Sequence, residues 1–269
     1  MSPELKPVTT RSLLDMKRAG KRIVMLTAYD ALFAELLDQA GTDMLLVGDS
    51  LNTVLAAQQT TLSVTLDQMI YHGKLVRAGT KRAMVVVDMP FLTYQVSIEE
   101  AKRNAGRVLQ ETGATAVKLE GGLPMAPTIK ALVEIGIPVM GHLGLTPQSV
   151  HSLGGYRVQG REPDAAERLI ADARALQDAG AFSVVLELMP ADVAGKVSKA
   201  IDIPTVGIGA GPECDGQVLV LHDMLGLNDH LNAKFIKRYA ELASQVRDAA
   251  RSYGDEVRAG TYPDSAHSF

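Results

Sequence analysis

The sequence predicts an α/β chain folded as one (βα)8 TIM barrel over residues 1–269, with a short N-terminal helical extension. Three observations carry this. Short apolar, β-rich runs alternate with longer amphipathic stretches, the pattern of parallel strands joined by helices. Eight such runs follow one another along the chain. A length of 269 residues suits one such barrel, and a core of that size needs no staples.

In order, the runs are Ile23–Thr27, Met44–Val47, Met84–Val87, Ala116–Leu119, Pro138–Met140, Ser183–Leu186, Thr205–Ile208 and Val218–Leu221. A glycine phrase precedes the second to sixth: "QAGTD", "RAGTKR", "ETGATA", "EIGIP" and "DAGAFS". Glycine at such a point closes the preceding helix in the left-handed conformation. The intervening segments, such as "SIEEAKRNAGRVLQE" and "DAAERLIADARALQDA", space their apolar residues by three and four, as a helix face requires. Ser97 with Glu100 reads as a capping box. An open, doubly wound sheet shows the same alternation. However, "GIGAG" at Gly207–Gly211 lacks the G-x-G-x-x-G spacing of a dinucleotide site.

Composition narrows the class of function. Charged residues are 22% and apolar residues 46%, ordinary for a soluble globular protein. A net charge of −4 with no basic run argues against nucleic acid as a partner. The apolar runs are too short to span a bilayer, and the N-terminus has charges but no apolar core, so it does not read as a signal peptide. A single cysteine, Cys214, rules out an internal disulfide and suits a cytoplasmic location. It lies between Glu213 and Asp215, where like charge disfavours a thiolate nucleophile.

Catalytic groups of (βα)8 barrels stand at the C-terminal ends of the strands. The polar residues at those ends are Tyr29 and Asp30, Asp49 and Ser50, Asp88, Lys118 and Glu120, His142, Glu187, and His222 with Asp223. Any single aspartate there also reads as an N-cap for the next helix; a full set on one rim is better read as a site. Asp49, Asp88 and Glu120 are hard oxygen donors that favour Mg²⁺, which accepts one or two carboxylates and keeps places for water and substrate. Zinc would want more histidines. Lys118 and Glu120, two apart on one strand, point to one side of the sheet, the lumen of a barrel. The ammonium suits an anionic substrate, or it forms a structural ion pair with Glu120.

Glu187, between Leu186 and Leu188, is a general base in an apolar setting or the partner of a helix residue behind the barrel. His142 orients a ligand or is an interior histidine. "LGGYRVQGR", Leu153–Arg161, reads as a mobile rim loop, with a phosphate cradle as the other possibility. His222 and Asp223 read as caps of the last helix.

Taken together, "LTAYD", "LLVGDSL", "TLDQMIYH", "VVVDMPF", "AVKLEGG", "GHLGLTPQS", "GGYRVQGR", "PTVGIGAG", "QVLVLHDMLGL" and "TYPDSAHSF" resemble the ketopantoate hydroxymethyltransferase (3-methyl-2-oxobutanoate hydroxymethyltransferase) family from Thr9 to the C-terminus. The resemblance implies a cytoplasmic, homodecameric (βα)8 enzyme of pantothenate biosynthesis. Its reaction would move a hydroxymethyl group from 5,10-methylenetetrahydrofolate to 3-methyl-2-oxobutanoate, giving 2-dehydropantoate with Mg²⁺ required. By motif, Asp49 and Asp88 are metal ligands and Glu120 joins the metal site through water. Asp49, Ser50, Asp88 and Lys118 belong to the 2-oxo acid site, and Glu187 is the proton acceptor. The sequence departs from the family pattern at Asn52–Thr65, where Asn52 replaces a glycine and Ala57–Gln58 a Gly-His pair, and at Asn228–Phe235. Phosphoenolpyruvate mutase and isocitrate lyase relatives share the barrel logic but use a cysteine-bearing loop, which is not found here. A barrel that only binds keto acids would be expected to have lost part of the rim set.

Overall fold

Each predicted run forms a strand, and the eight strands pair in parallel in chain order, with the last returning to the first. The structure, a computed structural model, describes residues 6–269. Its strands are β1 Ile23–Thr27, β2 Met44–Val47, β3 Met84–Asp88, β4 Ala116–Glu120, β5 Val139–Gly144, β6 Ser183–Glu187, β7 Thr205–Ile208 and β8 Gly216–Leu219. Helices α1 Thr10–Arg18, α2 Ala31–Gln39, α3 Leu51–Val54, α4 Leu66–Gly79, α5 Ile98–Thr112, α6 Ala126–Glu134, α7 Pro163–Asp178 and α8 Ala191–Ala200 lie between or before them. The chain divides into two compact units, Met1–Leu219 with the barrel and Val220–Phe269 with α9 Leu221–Met224 and α10 Leu242–Ala259.

Strand parity decides what enters the lumen. Alternate residues of a strand face one side of the sheet, and Ile23, Met25, Met44, Leu46, Met84, Val86, Ala116, Met140, Val185, Val206 and Val218 form one buried cluster. Val8 and Leu13 join that cluster and Met16 packs on it, so α1 closes the end of the barrel where the strands begin. A capping box between Thr9 and Ser12 starts α1. The apolar plug occupies the lower layers and leaves the polar parity-mates above it at the other end.

Strands β3, β4 and β6 each run one residue beyond the reading of the sequence, to Asp88, Glu120 and Glu187; β5, β8 and the connection before β8 differ for local reasons. Proline has no N–H for the ladder, so β5 begins at Val139 instead of Pro138 and runs on to Gly144, taking His142 into the strand. Strand β8 begins two residues early, at Gly216, whose missing side chain lets it approach β1: a Cβ there would lie 2.5 Å from the Ile23 oxygen. Residues 209–215 join β7 to β8 without a helix.

The glycine phrases divide as well. Gly41, Gly113, Gly136 and Gly180 have positive φ as helix closers. Gly79 instead ends α4 as a helical residue, and a Cβ on it would meet the Ala31 oxygen at 2.1 Å. Its role is the close approach of α2 and α4. At α5, Ser97 Oγ accepts from the Glu100 N–H at 3.1 Å, one half of the predicted box. Cys214 is buried beneath Gly207, and burial foremost raises its thiol pKa, as expected of an inert cysteine. No helix among the described residues is long and apolar enough to cross a membrane.

Candidate active site

Asp88 ends β3 on the same parity as Met84 and Val86; Lys118 and Glu120 follow Ala116, His142 follows Met140, and Glu187 follows Val185. All five therefore face the lumen, and register aligns them: Asp88 pairs with Lys118, and Glu120 with His142. Asp49 and Ser50 follow β2 directly. A Cβ on Gly48 would stand 2.8 Å from Ser50 Oγ, so the glycine leaves that hydroxyl in the place where it meets Tyr29.

The contacts form one connected network. Lys118 Nζ lies 2.9 Å from Asp88 Oδ1 and 3.1 Å from His142 Nδ1. His142 Nδ1 is 3.4 Å from Glu120 Oε1, and its Nε2 is 3.2 Å from Glu187 Oε2. Asp49 N–H donates to Asp88 Oδ2 at 3.0 Å. Ser50 Oγ and the Tyr29 hydroxyl are 2.9 Å apart. The side chains of Lys118, Asp88, Glu120 and His142 are buried, while Glu187 keeps 17% of its side chain accessible. Glu187 is thus a half-buried rim group, more exposed than its apolar flanks suggested, and its partner is His142 in the neighbouring strand, not a helix behind the barrel. Lys118 makes its ion pair with Asp88 in the neighbouring strand, not with Glu120 as the sequence suggested.

Two residues that sequence reasoning missed hold the acids in place. Gln148 donates through Nε2 to Asp49 Oδ2 at 3.0 Å and to Met89 O at 2.9 Å, and through its N–H to Glu120 Oε2 at 2.9 Å. Tyr94, fully buried, donates to Gln148 Oε1 at 2.8 Å and accepts from the Glu120 N–H at 3.1 Å. Both stand in loops after strands, β3 for Tyr94 and β5 for Gln148. Their position just past those strand ends was the available signal. Asp30, by contrast, is a cap: its Oδ1 accepts from Phe33 N–H at 2.9 Å at the start of α2. His222 and Asp223 lie inside α9 of the second unit and do not cap it; Asp223 Oδ1 accepts from Asn228 Nδ2 at 3.2 Å.

The electrostatics follow from packing three acids around one ammonium. Burial foremost, then the charges of Asp88 and Glu120, push Asp49 up to about 8. Burial also raises Asp88, against the pull of Lys118. Burial opposes the Lys118 charge, yet Asp88, Glu120 and Asp49 outweigh it and raise the ammonium pKa. For His142, burial and the Lys118 charge favour the neutral ring, but Glu120 and Glu187 prevail and raise it to about 9. Burial acts to raise Glu120, and the contacts from His142, Lys118 and the Gln148 N–H overcome it, so its pKa falls.

The sequence profile described as "Ketopantoate hydroxymethyltransferase" matches residues 7–265. The chain belongs to the ketopantoate hydroxymethyltransferase family. Relatives named 3-methyl-2-oxobutanoate hydroxymethyltransferase extend along its whole length. The one from Pelobacter propionicus is 55% identical over 269 residues, covering 100% of both chains. The one from Desulforapulum autotrophicum is 56% identical over 262 residues, 97% of this chain and 98% of the relative. Among solved structures, phosphonopyruvate hydrolase in complex with oxalate and Mg²⁺ superposes with a TM-score of 0.61 at 14% identity, over 97% of this chain and 93% of that one. A 2,3-dimethylmalate lyase of the PEP mutase/isocitrate lyase superfamily gives 0.60 at 18%, over 96% and 91%. These two establish the barrel. As a ketopantoate hydroxymethyltransferase family member the chain is a transferase of hydroxymethyl groups, and the rim network is its candidate active site.

Do these residues fit a divalent cation? Asp88 Oδ1 and Glu120 Oε1 are buried and meet no donor in hydrogen-bond alignment, even though Lys118 and His142 stand within charge-contact distance. Such oxygens carry a desolvation cost that a cation would relieve. No group of three or more His, Cys, Asp or Glu among the described residues closes around a metal by itself. The fit therefore rests on Asp88 Oδ1 and Glu120 Oε1 alone, hard oxygens of the kind Mg²⁺ takes one or two at a time beside water and substrate. The donor set fits Mg²⁺.

Gly144, where β5 passes Glu187, tests the backbone support of the rim. It sits at φ 91°, and a Cβ on it would meet the Glu187 oxygen at 2.1 Å. Gly144→Ala is expected to strain β5 by about 1–3 kcal/mol from φ alone, lowering Tm by several degrees. Calorimetry that found Tm unmoved would contradict this close approach.

Proposed function

We propose that this chain transfers a hydroxymethyl group from 5,10-methylenetetrahydrofolate to 3-methyl-2-oxobutanoate, forming 2-dehydropantoate for pantothenate biosynthesis, with Mg²⁺ required. The observation that carries the reading is the lumen network. A buried ammonium, Lys118, stands beside the carboxylates Asp49 and Asp88, with a further carboxylate, Glu187, across His142. Relatives that bear the name of this activity along the whole chain support it.

Asp49 and Asp88 would hold the ion, and Glu120, whose Oε1 meets no aligned donor, would be the further acid at that site. When bound, Mg²⁺ supplies Lewis-acid stabilisation of charge that develops on the ketone oxygen. Lys118 and the Ser50 hydroxyl, steadied by Tyr29, bind the carboxylate end of the 2-oxo acid. This orientation turns C3 toward Glu187, which removes its proton as general base. His142 Nε2 keeps the Glu187 carboxylate aimed along the rim, and Gln148 keeps Asp49 and Glu120 from rotating. The enolate carbon takes up the folate methylene: one C–C bond and, from water, one C–O bond form as its two C–N bonds break, and the protons from C3 and from water go to the two folate nitrogens as tetrahydrofolate leaves.

A cytoplasmic setting and a homodecamer belong to the same reading and rest on the family resemblance. The test of function is tetrahydrofolate formation with and without 3-methyl-2-oxobutanoate. Formation is expected only with the keto acid and Mg²⁺ present; release that does not depend on the keto acid would sink the proposal.

A further inference from the structure

The segment between β2 and α4 folds back toward the site through one side chain. Asn52 is 3% exposed and stands three residues after Asp49. Its Nδ2 donates to the Thr60 oxygen at 2.7 Å and to Ser63 Oγ at 2.9 Å. Its backbone oxygen accepts from Gln58 N–H at 2.9 Å, and its own N–H donates to the Asp49 oxygen at 3.0 Å. A single amide therefore ties the far end of the loop to the turn that carries Asp49 and Ser50.

The loop is held in a costly shape. Ala57 is at φ 52°, a conformation that a non-glycine residue keeps only where its surroundings enforce it. Thr61 is buried with its Oγ1 unpartnered, although a hydroxyl freed to solvent would lose that penalty. At the tip, the Gln59 oxygen meets the hydroxyl of Tyr156 from the β5–α7 loop at 3.5 Å, the outer limit of a hydrogen bond. Tyr156 is half-exposed, and burial followed by the charges of Asp49, Glu187 and Glu120 raises its phenol pKa. The phenol thus meets the loop tip and feels the charge of the acid network.

Space then decides what can meet this wall. Lys118, Glu120 and His142 are buried in the lumen above the apolar plug, so a large ligand has no way to reach them from below. A bicyclic donor with a long tail must approach from the mouth, where the loops stand. We infer that Asn52 is a positioning residue for the one-carbon donor: it fixes residues 55–63 so that Gln59 and Tyr156 form the wall on which the folate rests. This rests on the folate-dependent reading above.

The experiment compares Asn52→Ala, Asn52→Asp and Tyr156→Ala with the unaltered protein. Aspartate preserves the shape of Asn52 but cannot donate to the Thr60 oxygen. Tyr156→Ala, at a half-exposed position, leaves the fold intact if the buried Asn52 variants do not fold. In each variant the KM for 5,10-methylenetetrahydrofolate is expected to rise about tenfold, the scale of one lost hydrogen bond. KM for 3-methyl-2-oxobutanoate and the folate-free exchange of its C3 proton into deuterated water should stay near wild type. Amide exchange of the 55–63 peptide should quicken in both Asn52 variants. C3 exchange that falls in parallel with turnover would mean that Asn52 merely props Asp49 and Ser50, and would overturn the inference. So would an unchanged folate KM beside a quickened loop. Unaltered protein that exchanges C3 yet forms no tetrahydrofolate would count against the transferase reading instead.

Discussion

Glu187→Gln is expected to abolish turnover while leaving the 2-oxo acid bound. The substitution keeps the size of the side chain and an acceptor near His142 Nε2, now 3.2 Å from Oε2, but removes the base. Loss of a positioned general base typically costs about 10²–10⁴ in rate. Binding should be nearly spared, because Lys118, Ser50 and the metal carboxylates hold the other end of the substrate. The direct readout is exchange of the C3 proton of 3-methyl-2-oxobutanoate into deuterated water with Mg²⁺ present and folate absent, followed by NMR. Exchange at the wild-type rate in the variant would assign the proton to another group. His142, buried between Glu120 and Glu187, would be the first to examine.

Substituting Asp88 should remove metal-dependent activity by two separable routes. Asp88 presents Oδ1, which has no aligned donor, and spends Oδ2 on the Asp49 N–H. Asp88→Ala deletes both and leaves Lys118 buried beside Asp49 and Glu120. Breaking a buried pair costs about 3–5 kcal/mol, and the remaining acids hold the cost near the lower end. A Tm drop on the order of 10 °C follows. Asp88→Asn keeps an acceptor for the Asp49 N–H and removes the charge, so it should lose less stability and just as much activity. Lewis-acid stabilisation is worth several kcal/mol, so turnover should fall on the order of 10³-fold in both variants. Titration calorimetry with Mn²⁺ should show binding lost. Wild-type turnover undiminished in excess EDTA, or an Asp88→Asn variant that still binds Mn²⁺ at full affinity, would contradict the assignment.

The opposed behaviour of two glycine phrases shows how far sequence reading reaches. "ETGATA" predicts a left-handed helix closer, and Gly113 is one, with φ 71°. "RAGTKR" looks the same, yet Gly79 is helical and serves to let α4 touch α2. The first is a local property of backbone sterics, so a short window of sequence contains it. The second depends on a residue 48 positions away, Ala31, and no local pattern encodes which helix will pass there.

The active site divides along the same line. Alternation of apolar runs with amphipathic stretches determined a parallel α/β sheet, because a strand period of two and a helix period of 3.6 are intrinsic to the backbone, and the count of eight units favoured its closure into a barrel. Parity then sends Asp88, Lys118, Glu120, His142 and Glu187 to one lumen without further information. Tertiary structure alone decided their partners. Register sets Lys118 against Asp88, and the same closure places His142 between two acids from the flanking strands. It also brings Gln148 and Tyr94, from two different loops, onto Asp49 and Glu120. Which acid each polar group meets is a property of closure, since contacts between residues up to 99 positions apart exist only once the barrel has fixed their distances.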